Sequence, residues 1–137
     1  MNPNIFLGTT FNDSRGKLSY NNIDFMNVKR CYVIENSDTN LLRGWQGHKV
    51  EQRWFIAING TFKIKLIKID NWLTPNKLAF KFEYFLDSET MDILHIPPGF
   101  ISSIQSLEKG SKLFVMSDYK FDEIKDEYRF PLDYFIN

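Results

Sequence analysis

Apolar residues in this chain recur at every second position, in short runs cut off by turn formers, and few arrangements besides sheet accept that pattern. Phe62, Ile64 and Leu66 alternate with Lys63 and Lys65, and Leu78, Phe80, Phe82 and Tyr84 alternate with Ala79, Lys81 and Glu83. Successive side chains of a strand point to opposite faces, so each run predicts a strand with one dry and one wet face. Residues 17–20, 28–35, 52–58, 91–96, 101–107 and 112–117 read as further strands. Asn59-Gly60 lies between two such runs, the pattern of a tight type I′ hairpin, because both residues tolerate positive φ. Pro97-Pro98-Gly99 closes the 91–96 run, since proline cannot continue a ladder. Residues 101–107 and 112–117 read as a last hairpin joined through Glu108-Lys109-Gly110. Only 121–128 has helical character, and Pro131 limits it. Many short strands, at a spacing of roughly 8–12 residues, predict an all-β sandwich or barrel.

A chain of 137 residues is long enough for one core and short for two, so a single domain over 1–137 is expected. Seventeen basic residues cancel seventeen acidic ones, so no global field draws the protein to nucleic acid or an anionic membrane. Any anionic ligand must be held by a local cluster. The lone Cys31 excludes an internal disulfide framework and fits a reducing compartment. The start lacks the basic and apolar regions of a secretion signal, and no run approaches the roughly 20 apolar residues that span a bilayer. A soluble cytoplasmic protein is the expectation. Asn59-Gly60-Thr61 matches a glycosylation acceptor but reads here as a turn.

Residues 43–52 gather a cation, a carboxylate, amides and one of two histidines, on a strand expected to enter the Asn59-Gly60 hairpin. Gln46 and His48 are two apart and share a face, and a polar pair on rigid sheet is how a β-barrel builds a small-molecule site in its mouth. Glycine-rich phosphate loops, nucleophile elbows and Cys-x-x-Cys pairs are absent, which leaves kinase, serine hydrolase and thiol-redox readings without support. Trp45, Trp54 and Trp72 read first as core, and stacking on a base is the alternative.

Three separated blocks then converge on one resemblance. Arg43-Gly44-Trp45-Gln46-Gly47-His48-Lys49, with Gln52 and the Gly60 turn behind it, resembles the first motif of nucleotide-sugar cupins. In particular it is similar to the WxcM-like sugar 3,4-ketoisomerases that act on dTDP-4-keto-6-deoxyglucose, whose pattern is Arg-Gly-x-His-x-His-Lys. Asp13-Ser14-Arg15-Gly16-x-Leu18, Val28-Lys29-Arg30-x-Tyr32-x-Ile34 and Ser117-Asp118-Tyr119, the last followed by an acidic stretch and Tyr128-Arg129, resemble the same family. Ile96-Pro97-Pro98-Gly99-Phe100 looks more like the related dTDP-4-dehydrorhamnose 3,5-epimerases. The resemblance implies an RmlC-like cupin, a jelly-roll barrel or double-stranded β-helix. It also implies a homodimer that exchanges the strand around 13–20, no metal or other cofactor, a nucleotide-sugar partner, and a place in surface-polysaccharide sugar synthesis. Gln46 departs from the pattern, because both families place a histidine there and the epimerases use it as their base. Ser102 and Ser103 stand where relatives often carry a histidine after the Pro-Gly turn.

A 4-keto group acidifies the sugar hydrogens on C3 and C5, so the implied chemistry needs a base near neutral pKa and a donor for the enolate oxygen. His48 is the candidate base, with an ordinary pKa of about 6.5. Gln46 can donate to a carbonyl or enolate but cannot take a proton from carbon, so it would orient. Tyr32 is the candidate carrier of a proton between O3 and O4, and a one-residue register shift would put Val33 there instead. Arg43 and Arg15 are the candidate anion clamp, with Lys49 and Arg53 as weaker versions of the same case. Glu51 and Gln52 either orient His48 or line the barrel, and His95 reads as structural. With Gln46 in the first position, only His48, Glu51 and His95 remain for a metal, and none is expected. A 3,4-ketoisomerase is favoured, a 3,5-epimerase is the alternative, and a binding module without catalysis is the reading from another class.

Overall fold

In the computed structural model, residues 1–24 and 27–136 are described, and all regular structure among them is strand. Two five-stranded antiparallel sheets face each other. The first sheet runs in the order β1 (Asn4–Phe6), β9 (Ile93–Ile96), β6 (Arg53–Asn59), β11 (Lys112–Ser117), β4 (Arg30–Ile34). The second runs β12 (Tyr128–Arg129), β5 (Leu42–His48), β10 (Phe100–Ser106), β7 (Thr61–Lys68), β8 (Phe82–Asp87). A separate hairpin, β2 (Thr9–Asp13) with β3 (Gly16–Tyr20), pairs with neither sheet.

Between β4 and β7 the chain changes sheet at every connection, and it does so again from β8 through to β12. The reason is burial. Phe62, Ile64 and Leu66 on β7 are sealed from solvent against Phe55, Leu94, Leu113 and Val115 of the opposite sheet, a single apolar cluster that neither sheet could cover alone. Lys63 and Lys65 take the other face, as the alternation requires. Among the described residues, no helix is long and apolar enough to cross a membrane.

The strands were legible, but several of their partners were not. Asn59-Gly60 is a turn, yet β6 and β7 go to different sheets and form no hairpin ladder. Gly60 has φ +71 while Asn59 is not in the left-handed region, so the turn is not type I′. A side chain at Gly60 would place its Cβ 2.1 Å from Ser111 Oγ, which is why the turn needs glycine. β10 and β11 likewise lie in opposite sheets, so 101–117 is a crossing and not a last hairpin. Alternation reports which face of a strand is dry and carries no information on its neighbour. The 43–52 segment is split in the same way: β5 ends at His48 in one sheet, and β6 begins at Arg53 in the other.

Other expectations fail locally. The strand expected at 78–84 begins only at Phe82, leaving Leu78 69% and Phe80 72% exposed. Residues 70–78 are held as loop by Asp70, Asn71 and Asn76, whose side-chain oxygens accept nearby backbone N–H groups. Residues 121–124 form turns, 125–127 are irregular and Tyr128 opens β12, so there is no helix; Asp122 has φ +59 and Asp126 is spent on contacts to another part of the chain. The run at 28–35 narrows to Arg30–Ile34.

This distribution of burial predicts unequal costs of truncation. Leu113→Ala, at a fully buried position between the sheets, is expected to lose about 2–5 kcal/mol of unfolding free energy. Phe80→Ser is expected to stay within about 0.5 kcal/mol, as exposed positions do. Urea unfolding followed by tryptophan fluorescence measures both.

Candidate active site

A bulge in β5 builds the first part of the site. Against β10, Gln46 pairs with Ser102 but Arg43 pairs with Ile104, so three residues of β5 span what two cover on its neighbour. The extra residue lies at Gly44–Trp45, where a Cβ on Gly44 would come 2.9 Å from Ser103 Cβ. Strict alternation would place Arg43 on the face opposite Gln46. The bulge instead brings Arg43, Gln46 and His48 to the same cavity, while Trp45 turns outward against the edge of Phe135, 5.5 Å away.

The turn after β5 is wrapped around one carboxylate. Asp126 Oδ1 accepts the Lys49 N–H at 2.9 Å, and Oδ2 accepts those of Val50 (2.9 Å) and Glu51 (2.8 Å). The backbone oxygen of the same Asp126 lies 2.7 Å from His48 Nδ1. A carbonyl can only accept, so Nδ1 carries the proton and Nε2 is left with its lone pair. The imidazole is 7% exposed and lines a cavity on either side. Burial is the largest cause lowering its pKa and the Arg53 guanidinium the second; Glu51 and Asp126 pull the other way.

β4 and β6 supply the charged wall. Arg53 Nε donates to Glu51 Oε2 at 2.6 Å, its Nη2 forms an ion pair with the same oxygen at 2.5 Å, and Nη1 donates to the Tyr32 hydroxyl. Arg30 Nη2 and His48 Nε2 each stand 3.6 Å from that same Glu51 oxygen. The first cavity, about 410 Å³, lies in the barrel mouth over Phe55, Ile96, Phe100 and Ile104, with Arg43 and Arg129 at its sides. The second, about 450 Å³, lies under residues 120–127 with Arg30, Lys120 and Phe121. Tyr32, Gln46, His48, Glu51 and Arg53 line both, so they form the waist of a two-lobed groove.

The structure therefore brings together His48, Gln46, Tyr32, Arg43 and Arg53, and it turns Tyr32 into the groove. The other candidates lie elsewhere in this chain. Arg15 sits at the tip of the β2–β3 hairpin, its side chain 87% exposed and bonded to Asp13 at 2.7 Å, which holds the Asp13 carboxyl below its usual range. Lys49 places its ammonium over the rings of Tyr128 (5.2 Å) and Trp72 (5.8 Å), outside both lobes. Gln52 Oε1 meets His95 Nε2 at 2.7 Å, and His95 stacks on Trp54 with centroids 5.3 Å apart. Among the described residues no group of three His, Cys, Asp or Glu side chains converges as metal ligands do.

Sequence reasoning gave no site role to Asp126, Glu127 or Arg129. Glu127 Oε1 accepts the Gln46 side-chain amide at 2.5 Å, and Arg129 borders the barrel lobe. They lie about 80 positions from their partners, in a short acidic stretch whose composition says nothing of where it docks.

A family model described as FdtA: WxcM-like, C-terminal matches residues 1–137. No curated protein matches. Among solved structures, the sugar 3,4-ketoisomerase QdtA from Thermoanaerobacterium thermosaccharolyticum is 23% identical, with a TM-score of 0.71 over 97% of this chain and 91% of that one. The WlaRB TDP-quinovose 3,4-ketoisomerase from Campylobacter jejuni is 23% identical, with a TM-score of 0.71 over 94% and 93%. The dTDP-4-dehydrorhamnose 3,5-epimerase from Bacillus anthracis is 16% identical, with a TM-score of 0.71 over 88% and 75%. These likenesses give the fold as an RmlC-like cupin barrel.

The two histidines set an acid limit on stability. Burial lowers the pKa of both His48 and His95 below their ordinary value. Below about pH 6.5 the unfolded chain binds protons that the folded one refuses, so stability is lost as pH falls, until the folded values are passed. The melting temperature is expected to fall between pH 7 and 5, and His48→Asn to flatten that slope in a calorimetric pH series.

Proposed function

This chain belongs to the WxcM-like, C-terminal family, and we propose that it isomerises a nucleotide-linked 4-keto-6-deoxyhexose to the 3-keto sugar. The proposal takes residues 1–137 as one cupin domain, acting without metal or other cofactor in the cytoplasm, on sugars destined for surface polysaccharide. The observation that carries it is the His48 imidazole, locked by the Asp126 carbonyl so that its free Nε2 stands at the waist of the groove. The ketoisomerase QdtA has been solved with TDP and, as a variant, with TDP-4-keto-6-deoxyglucose, which supports this substrate class.

His48 Nε2 takes the C3 proton, and the C3–H electron pair forms the C3=C4 bond of an enediolate while the C4 carbonyl oxygen takes the charge. The same imidazolium returns the proton to C4. The hydrogen on O3 passes to O4 through the Tyr32 hydroxyl, which Arg53 already holds in place. Carbon and oxygen each give up and regain one proton, so the reaction balances with no redox partner. Gln46 has a second amide hydrogen besides the one on Glu127, and that hydrogen orients the carbonyl.

The barrel lobe carries Arg43, Arg53 and Arg129 against Glu35 and Glu51, whereas the other lobe has more carboxylates than cations. The diphosphate is accordingly assigned to the barrel lobe, on Arg43 and Arg129. Lys49 and Gln52 act as supports, the first beneath the C-terminal segment and the second beneath His95. Arg15 joins the clamp from a second copy. Among the described residues the β2–β3 hairpin pairs with no other strand, and it exposes Phe11 and Leu18 by more than half, so exchange within a homodimer would cover it. The replacement of the family histidine by Gln46 favours one rival reading, a sugar-nucleotide binder without catalysis.

Incubation with dTDP-4-keto-6-deoxyglucose in deuterium oxide, followed by proton NMR, separates the readings. A 3-keto product is the expected result, with deuterium at C4 in the fraction of turnovers where the imidazolium exchanges its proton with solvent before returning it. Inversion at C5 would mean an epimerase, and binding without exchange would mean the inactive module. His48→Asn is expected to lower kcat by about 10²–10⁴-fold with KM little changed. If the hairpin is exchanged, mixing and refolding inactive Arg15→Ala with inactive His48→Asn restores activity, because one site of each hybrid dimer is intact. No recovery removes Arg15 from the site.

A further inference from the structure

We propose that Glu51 is a positioning residue for proton transfer at His48: its carboxylate, locked between two guanidinium groups, cancels positive charge beside the imidazole and sets the basicity of Nε2. The inference rests on the reading of His48 as the base and extends it to a residue that touches neither reacting carbon.

Glu51 is 6% exposed, and the structure accounts for its placement on every side. Its N–H is held by the Asp126 carboxylate, whose own carbonyl holds His48, so acid and base are fixed to the same residue. One oxygen, Oε2, faces Arg53 at 2.5 Å, Arg30 at 3.6 Å and His48 Nε2 at 3.6 Å. Arg30 Nε is buried with no hydrogen-bond partner among the described residues, so that guanidinium is poorly compensated and depends on Glu51 for its charge balance. Among the remaining groups around the ring, the Asp126 carboxylate acts in the same direction but more weakly than Glu51. Asp126 spends its carboxylate on three backbone N–H groups, Glu127 holds Gln46, and Tyr32 is bound to Arg53. β10 contributes Phe100 and Ser102, which carry no charge.

Without the Glu51 charge, two guanidinium groups would oppose protonation of an imidazole that burial already keeps neutral. A weaker base removes a carbon-bound proton more slowly, and the acid limb of the rate profile moves to lower pH. The carboxylate also braces Arg53 against the Tyr32 hydroxyl, so charge and geometry at the two proton carriers have one support.

The test is an NMR titration of histidine-labelled protein without substrate. The chain has two histidines, and His95, bonded to Gln52, serves as the internal control. Glu51→Gln is expected to lower the His48 midpoint by about one pH unit and leave His95 within a few tenths. Arg53→Gln is expected to move it in the opposite direction, which keeps the proposal testable if the first variant does not fold. With substrate, Glu51→Gln is expected to lower kcat more than it raises KM and to shift the acid limb with the titration. A His48 midpoint unmoved in a folded variant of either kind overturns the proposal. A wild type that shows the titration shifts but never turns over substrate overturns the isomerase reading and leaves the charge assignment standing.

Discussion

The largest apolar cluster lies between the two sheets, and neither sheet can dry its share of it alone. This constraint shapes the path of the chain. A strand that finished and folded back beside itself would leave its dry face waiting for a cover supplied much later. Crossing to the opposite sheet lays a cover over each strand as it is added, so Phe62, Ile64 and Leu66 meet Leu113 and Val115 from the far side of the molecule. The crossings are then the places where the backbone leaves both ladders and exposes polar groups that something else must satisfy. At the crossing from β5 to β6, that something is Asp126.

The site follows from how this crossing is held. Three N–H groups with no strand partner attract a carboxylate, and the carboxylate brings its own segment of chain with it. The segment closes one lobe of the groove and puts a carbonyl against His48 Nδ1. Fold stability and the tautomer of the proposed base thus depend on the same residue. The bulge at Gly44 does the corresponding work at the other end of β5, trading one ladder position for a guanidinium that shares the face of Gln46 and His48.

Period-two alternation located β7 nearly residue for residue, because a half-buried strand must write its two faces into the sequence, and the turn residues at 97–99 and 108–110 bounded β10 and β11. The same alternation was silent on which strands pair. Asn59-Gly60 marked a turn without disclosing that it joins two sheets. At 78–84 the pattern was present and misleading, since Leu78 and Phe80 alternate correctly yet precede the strand. In the site, the common face of Gln46 and His48 was readable from their spacing, whereas the inclusion of Arg43 required a bulge that only the glycine hinted at. Asp126 was beyond reach. Its partners are backbone groups, which have no identity in a sequence, and the separation of about 76 residues leaves no local trace.

The presence of one imidazole at the waist bears on which reaction this geometry suits. Inverting a carbon requires that a proton leave one face of the sugar and another arrive at the opposite face, which calls for two ionisable groups on either side of the ring. Moving a carbonyl from C4 to C3 requires only that one proton leave C3 and return to its neighbour. A single base can do both if the two carbons sit within its reach, and it then delivers to the face from which it took. Gln46, bonded to Glu127, lines the same waist and offers amide hydrogens but no base. The amide can hold an enediolate oxygen while His48 moves the carbon-bound proton and Tyr32 the hydroxyl proton. On that argument the loss of the family histidine narrows the proposed chemistry to a suprafacial shift and does not abolish it.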